Sequence, residues 1–391
     1  MSELVYWLFL RILTSIVTGV VSHVKPTTAI ELNVAVFPPS APLSQWLERV
    51  FLSPWMRWDA LWYQQIVMHG YSATDGTAQF QPLYPWLATP LARIGISPAW
   101  SLLITCSAAG IALFYCFFRF ARLDLPEKDA FFATMLLSLA PPAFILFAPY
   151  TEGLFILLAV LCLYFLRRKS WWLAGAMGGL AALTRQQGIL LVFPFSWEIY
   201  LNSGYKIKQL FWQWQSWIPL ALIPMGTVVW TLYRLLVIKD LQIKTDNVQG
   251  FIYSAFISPS ATVVVPFQKF IWPWQTLYYS IVKIFQSPDL DIWVNVVTGI
   301  AFLILLAVCW NKLRVSYRIY AVAMTLVSFS FYTGPVHPVM GLPRHLLLVF
   351  PIFIGLAALI HKPWIKTLMI GLSAIGMTFL LGLYVLNGWV P

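Results

Sequence analysis

Charge is scarce in this chain: only 10% of its 391 residues are Asp, Glu, Lys or Arg, and only 14 are acidic. A water-soluble domain needs a mixed, charged surface, so this composition argues against an ordinary soluble enzyme. Cysteine is sparse too. Cys106, Cys116, Cys162 and Cys309 all fall inside apolar runs with no CxxC pairing, so they read as small apolar packers and imply no disulfide framework. His69, His337 and His345 are not linked by HxxxH or HxxE spacing, and neither a metal site nor another cofactor is expected.

What is abundant is apolar and aromatic: 60% hydrophobic residues and 17% Phe, Trp and Tyr. Such a chain belongs in a bilayer. The net charge of +11 would suggest a nucleic-acid partner in a soluble protein. Here the basic residues lie in short tracts between apolar runs, as membrane topology demands, and no nucleic-acid role is inferred.

Apolar runs approaching the length of a membrane crossing begin near Leu4, Ala99, Phe131, Gly153, Trp171, Gly188, Ser216, Ile292, Tyr317, Leu346 and Thr367, which predicts an all-α integral membrane protein with about 11 transmembrane helices. Glu3 precedes the first run and no small-residue cleavage site follows it, so Leu4 to Val24 reads as a retained span. With the N-terminus in the cytoplasm, Arg119, Arg122 and Lys128 fall inside, as do Arg167 to Lys169, Lys206 and Lys208, Lys312 with Arg314 and Arg318, and Lys362 with Lys366. The opposite side receives PYTEG, RQQG and GPVHPVMGLPRH, with only Arg185 and Arg344 as basic residues. Two long loops, 25–98 and 239–291, also fall outside, and the whole chain, 1–391, reads as one domain.

Local features qualify this plan. The stretch from Ala261 to Phe285 is interrupted by Pro266, Lys269, Pro273 and Lys283, so it is expected to lie at the interface or re-enter, anchored by Trp272, Trp274, Tyr278 and Tyr279. Trp171 to Thr184 and Gly188 to Tyr200 are short enough to form a broken pair. Pro82 and Pro85 predict extended chain around Leu83 and Tyr84.

Ionisable groups at membrane depth cost several kcal/mol and are kept there for a task or a partner. Asp59 sits in MRWDALWYQQIVMHGY, where a continuous helix would place it on one stripe with Trp55, Trp62, Tyr63 and Ile66. Capping a helix is the alternative use for it. Glu152 in PYTEG either charges a helix N-terminus or belongs to a site. Arg185 in LTRQQG and Arg344 beside His345 in LPRHLL either snorkel to headgroups or face a ligand. One carboxylate with fixed cations suits transfer of a sugar esterified to phosphate: the base takes a proton from an acceptor hydroxyl, and an arginine fork takes up charge on the departing phosphate. A transporter or flippase for such sugar lipids, or a non-catalytic subunit, would also carry charges in a bundle, although no repeated halves are apparent.

RWDALWYQQIVMHGY followed by FQPLYPWL resembles the tryptophan-aspartate and FFP-type segments of the PIG-V-like mannosyltransferases, relatives of GPI mannosyltransferase II. APYTEGLFILLA is similar to that family's SPxSE-type stretch, LTRQQGILL to its TRxNG-type stretch, and GLPRHLLLVFP to its (S/P)RYLL-type stretch, in the same order. The resemblance implies a GT-C membrane glycosyltransferase that takes its sugar, mannose in the relatives, from a polyprenyl- or dolichyl-phosphate donor with inversion. The acceptor would be a hydroxyl on a glycan, glycolipid or protein. It implies Asp59 as the catalytic base and Arg344 as the donor-phosphate contact, with Arg185, Glu152, Arg57, His345 and Gln187 as further substrate-binding candidates. Gln187 and His345 depart from the family, which commonly has asparagine and tyrosine there. The chain has no Asn-x-Ser/Thr acceptor and ends in NGWVP with no ER-retention tail, compatible with a bacterial plasma membrane and an outward-facing site; in an ER protein the same face would be luminal.

Overall fold

The computed structural model describes residues 3–24, 51–205, 214–240, 269–287 and 289–386. Lys206, Lys208 and the loop portions 25–50 and 241–268 lie outside the described residues.

Apolar runs with few interior breakers become helices, and every segment expected to cross is helical. The chain begins with α1 (Glu3–Val24), followed by α2 (Asp59–His69), α3 (Leu83–Arg93), α4 (Pro98–Ala121), α5 (Glu127–Leu139), α6 (Glu152–Arg167), α7 (Trp171–Thr184) and α8 (Val192–Asn202). It continues through α9 (Trp214–Leu220), α10 (Leu222–Tyr233), α11 (Pro273–Gln286), α12 (Leu290–Cys309), α13 (Val315–Phe329), α14 (Leu342–Leu347), α15 (Pro351–Leu359) and α16 (Pro363–Val385). Among the described residues, five stretches are long and apolar enough to cross a bilayer: Glu3–Val24, Pro98–Ala121, Gln215–Ile238, Leu290–Lys312 and Pro363–Val385. The chain is a multi-pass membrane protein. Its only strands among the described residues are two-residue pieces, Lys269–Phe270 and Phe331–Tyr332, paired antiparallel.

Two local expectations are corrected and a third holds. Pro82 and Pro85 do not hold the chain extended: Pro82 is the N-cap of α3 and Pro85 lies in its first turn. A proline costs little there, because the first-turn N–H groups have no partner within the helix. Asp59 does not share a helical stripe with Trp55. Residues Ser53–Trp55 form a separate short turn, and α2 starts only at Asp59, with Trp62, Tyr63 and Ile66 buried along it. The pair Trp171–Thr184 and Gly188–Tyr200 is indeed broken, because Arg185 is extended (φ −150°, ψ 145°) between α7 and the tight turn Gln186–Leu191 that leads into α8.

Helix α11 turns its aromatics outward. Trp272, Trp274, Tyr278 and Phe285 are exposed, while Thr276, Ser280 and Ile284 are buried against the protein. An aromatic exterior over a small polar interior suits a helix lying at headgroup depth.

Helices α7 and α10 cross at very short range. A Cβ on Gly226 would stand 2.3 Å from the Gly179 carbonyl oxygen, and one on Gly179 would stand 2.5 Å from that of Leu222. In a membrane, where hydrophobic transfer does not drive helices together, such backbone proximity is a main source of adhesion. Gly226→Leu is therefore expected to destabilise the bundle by about 1–3 kcal/mol or more, read as a lower melting temperature of the purified protein. A melting temperature equal to the parent's would refute the close crossing.

The bundle has two polar ends, set apart by α6. Its first residue, Glu152, bonds Arg185, and its last, Arg167, bonds Asp124 at 2.8 Å. Sixteen helical residues separate these layers by about 24 Å. At the Arg167 end the Tyr317 hydroxyl also joins Arg167 and Asp124, Arg314 forks onto Glu198 at 3.0 and 3.1 Å, and Lys366 pairs with Asp129. Arg167, Arg314 and Lys366, from basic tracts assigned to the cytoplasm, thus meet acidic partners there, while Asp59, Glu152, Arg185 and Arg344 gather at the other end.

Candidate active site

The site begins with an unusual turn. Trp58, the N-cap of α2, has φ 49° and ψ −117°. A bulky side chain in that region costs on the order of 1–3 kcal/mol, so surrounding contacts must impose it. Two hydrogen bonds supply them: the Tyr150 hydroxyl donates to the Arg57 carbonyl at 3.1 Å, and the Tyr384 hydroxyl donates to the Trp55 carbonyl at 2.8 Å. The result sets Asp59 in the first turn of α2, where the helix dipole favours a carboxylate.

Asp59 is not used as a helix cap. Its Oδ2 accepts from Arg344 Nη1 at 2.6 Å across 285 residues of sequence. Arg344 stands on α14, whose start is shaped by Gly341 at φ 66°, a left-handed conformation that glycine adopts without strain. Asn295 on α12 clamps this approach: its Nδ2 donates to the Val339 carbonyl at 3.1 Å, and its Oδ1 accepts from the Leu342 N–H at 3.0 Å. The Arg344 guanidinium also lies 5.6 Å from the centre of the Tyr150 ring, a cation–π contact.

Behind this pair lies Glu152, whose side chain is 0% exposed. Arg185 Nη1 donates to Glu152 Oε1 at 2.7 Å and to Thr151 Oγ1 at 2.9 Å. Arg344 Nη1 is 3.8 Å from the same Glu152 oxygen. Two acids and two arginines therefore alternate, and their formal charges cancel. Gly188 permits the turn that presents Arg185: a Cβ there would stand 2.3 Å from the Ala182 backbone nitrogen.

His345 completes the wall, its Nδ1 3.4 Å from Arg185 Nη2. It lies on α14, outside the five apolar stretches of crossing length among the described residues. Burial, with the Arg185 and Arg344 guanidiniums beside it, pushes its imidazole well below the ordinary histidine range, so it is neutral in the assembled site.

The other two candidates stand apart from this cluster. Arg57 is buried, but its Nη1 is committed to the Ser53 and Met56 carbonyls at 2.8 and 3.0 Å. Gln187 is half-buried in the turn after Arg185 and shows no side-chain hydrogen bond among the described residues. Tyr150, Thr151 and Asn295 were missed by sequence reasoning. Tyr150 and Thr151 lie within PYTEG itself, and Asn295 is a lone amide in the apolar run of α12, a signal available from composition alone. No cluster of three or more His, Cys, Asp or Glu side chains able to hold a metal occurs among the described residues.

The arrangement is only partly satisfied. Glu152 Oε2, Arg185 Nε and Arg344 Nε are buried without a hydrogen-bond partner among the described residues. Asp59 and Arg344 keep 23% and 15% of their side-chain surface open, so the exposed edge of the network is the acid and its fork. A ligand with anionic oxygens can compete for Arg344 there, while Glu152 holds Arg185 from behind.

Glu152 is thereby the electrostatic anchor. Glu152→Gln is expected to destabilise the protein by about 3 kcal/mol, because it leaves the poorly solvated Arg185 without a carboxylate and Arg344 with Asp59 alone. The double variant Glu152→Gln with Arg185→Gln should regain part of that loss, as coupled partners do. Denaturation of both variants in detergent checks this, and equal stability of Glu152→Gln and the parent would contradict it.

The profile of the dolichyl-phosphate-mannose-protein mannosyltransferase family matches residues 79–232, less than half of the chain. ArnT from Cupriavidus metallidurans, in its structure bound to undecaprenyl phosphate, aligns over 95% of this chain and 62% of its own at a TM-score of 0.50 and 15% identity. This chain thus spans under two thirds of that protein's length. The oligosaccharyltransferase of Archaeoglobus fulgidus, in complex with zinc and sulfate, aligns over 97% of this chain and 53% of its own at a TM-score of 0.44 and 14% identity. No curated protein sequence matches the chain. At these identities the likeness to ArnT is one of fold alone.

Proposed function

We propose that the chain is a membrane glycosyltransferase that moves a sugar, mannose by the resemblance of its motifs, from a polyprenyl- or dolichyl-phosphate donor to an acceptor hydroxyl. The observation that carries this reading is the partly open Asp59–Arg344 pair at 2.6 Å. Undecaprenyl phosphate in the ArnT structure and the mannosyltransferase profile support the same class of donor. The proposal includes about 11 crossings, shorter helices supplementing the five long ones, in a bacterial plasma membrane with Asp59 facing outward.

The chemistry follows from competition for one guanidinium. In the resting site Arg344 is held by Asp59, with Glu152 next to it. A donor phosphodiester takes the fork and frees the Asp59 carboxylate. Asp59 then accepts the proton of the acceptor hydroxyl as that oxygen bonds to the anomeric carbon, and the bond from that carbon to phosphate oxygen breaks with its electron pair. The departing polyprenyl phosphate gains a negative charge, so Arg344 binds it more tightly in the transition state than in the donor. Asp59 afterwards gives its proton to water. Glu152 and Arg185 keep the fork in place, and neutral His345 adds no charge.

A screen of defined polyprenyl-phosphate sugars with the purified, reconstituted protein tests the reading. Free polyprenyl phosphate and a new glycosidic bond are expected. Movement of intact sugar lipid between leaflets without a new bond would instead make the chain a transporter.

A further inference from the structure

A second feature on the same face plays no part in that chemistry. A cleft of about 680 Å³ opens between the C-terminal end of α2, α3, the start of α4 and the end of α10. This volume falls within the usual range of small-ligand sites. Among the described residues, Tyr71, Trp86 and Tyr233 line it, with His69, Thr89 and Arg93 also in its wall, and none of the described lining residues is a carboxylate. The rings brace one another: Tyr71 and Trp86 each meet Tyr233 edge-on, at 6.2 and 5.8 Å between centroids, and Trp230 packs behind Tyr71 at 4.9 Å. Trp86 is 39% exposed, so part of its face is available. His69 and Arg93 are exposed as well. Tyr71 carries a buried hydroxyl with no partner among the described residues.

Rigid aromatic faces beside a few polar groups suit a ring that is apolar on one side and hydroxylated at its edge. That is the surface of a pyranose. A wall whose described charged residue is Arg93, with His69 near it, adds a preference for negative charge. The cleft also has a fixed relation to the catalytic acid, because Asp59 and His69 are the two ends of α2, about 15 Å apart. A glycan of a few rings bridges that distance.

We infer that this cleft holds the non-reacting part of the acceptor, a carbohydrate chain bearing an anionic group, stacked on Trp86 and held by Arg93. Its purpose rests on the proposed transfer reaction, whereas its binding chemistry does not. Acceptors that occupy the cleft would present a hydroxyl towards Asp59 from along α2.

Calorimetric titration of the full chain in nanodiscs of neutral lipid tests this, with trigalacturonate, maltotriose and inorganic phosphate as probes. Saturable binding of trigalacturonate to one site, tighter than maltotriose, is expected. Trp86→Ala should weaken it about tenfold or more and Trp86→Tyr should restore much of the affinity. Arg93→Gln should cost trigalacturonate about tenfold while leaving maltotriose unchanged. Absence of saturable trigalacturonate binding, or equal binding by Trp86→Ala and Arg93→Gln, would overturn the inference. So would phosphate binding as tightly as trigalacturonate, or displacement of trigalacturonate by phosphatidylglycerol in the nanodisc, since either makes the cleft a plain anion or headgroup site. Asp59→Asn should bind trigalacturonate like the parent, which separates a failed cleft from a failed catalyst.

Discussion

Asp59→Asn is expected to lower sugar transfer by about 10³-fold or more while the protein remains folded and inserted. The amide keeps the size of the carboxylate and can still accept a hydrogen bond from Arg344, so the turn at Trp58 and the start of α2 have no steric reason to move. What disappears is the proton acceptor. The loss should fall on turnover, with donor affinity retained or improved, because Arg344 no longer has a competing carboxylate. Initial rates at saturating donor, with a melting curve for each preparation, check both parts. Full turnover in the Asn variant would remove Asp59 from the mechanism.

Arg344→Ala is expected to reduce kcat/KM for the donor by about 10²-fold or more, with a smaller effect on the acceptor. The same substitution leaves Asp59 unpaired and Glu152 with one cation fewer, so stability must be measured beside activity. Arg344→Lys separates the two effects. It keeps a positive charge near Asp59 and Glu152, which protects folding, but loses the planar fork that matches two phosphate oxygens. Its donor kcat/KM should lie between those of the parent and Arg344→Ala. Equal losses for donor and acceptor, or full activity of Arg344→Lys, would argue against a forked phosphate contact.

The residues of this site were legible one at a time, because an ionisable group in an apolar run is expensive and each stands out. Their pairing was not. Which carboxylate meets which arginine depends on how α2, α6, α7 and α14 dock, and Asp59 and Arg344 are 285 positions apart. Glu152 looked like a residue of the site wall or a helix-terminal charge; docking makes it the buried partner of Arg185. Arg57, adjacent to the base in the same motif, sends its guanidinium to backbone carbonyls, a choice fixed by the turn at 53–56.

The fold was legible where hydrophobicity decides and less so where backbone detail does. Helices arose in all the long apolar runs, because a bilayer leaves the backbone few other ways to satisfy its polar groups. The prolines at 82 and 85 misled, since the same residue that ends a helix can also open one. The positive φ of Trp58 had no local signal at all: nothing intrinsic to tryptophan favours it, and the hydroxyls of Tyr150 and Tyr384 bind the backbone on its N-terminal side. The cleft beside α2 was equally hidden, because its aromatic wall is drawn from 71, 86 and 233.

The configuration of the transferred sugar tests the central claim most directly, because one base and one departing phosphate allow a single in-line displacement. With a donor of known anomeric configuration and the purified protein, NMR of the first product formed should show the opposite configuration at the anomeric carbon. A product that retains the donor's configuration would require two displacements, and would contradict a mechanism in which Asp59 only removes the acceptor's proton.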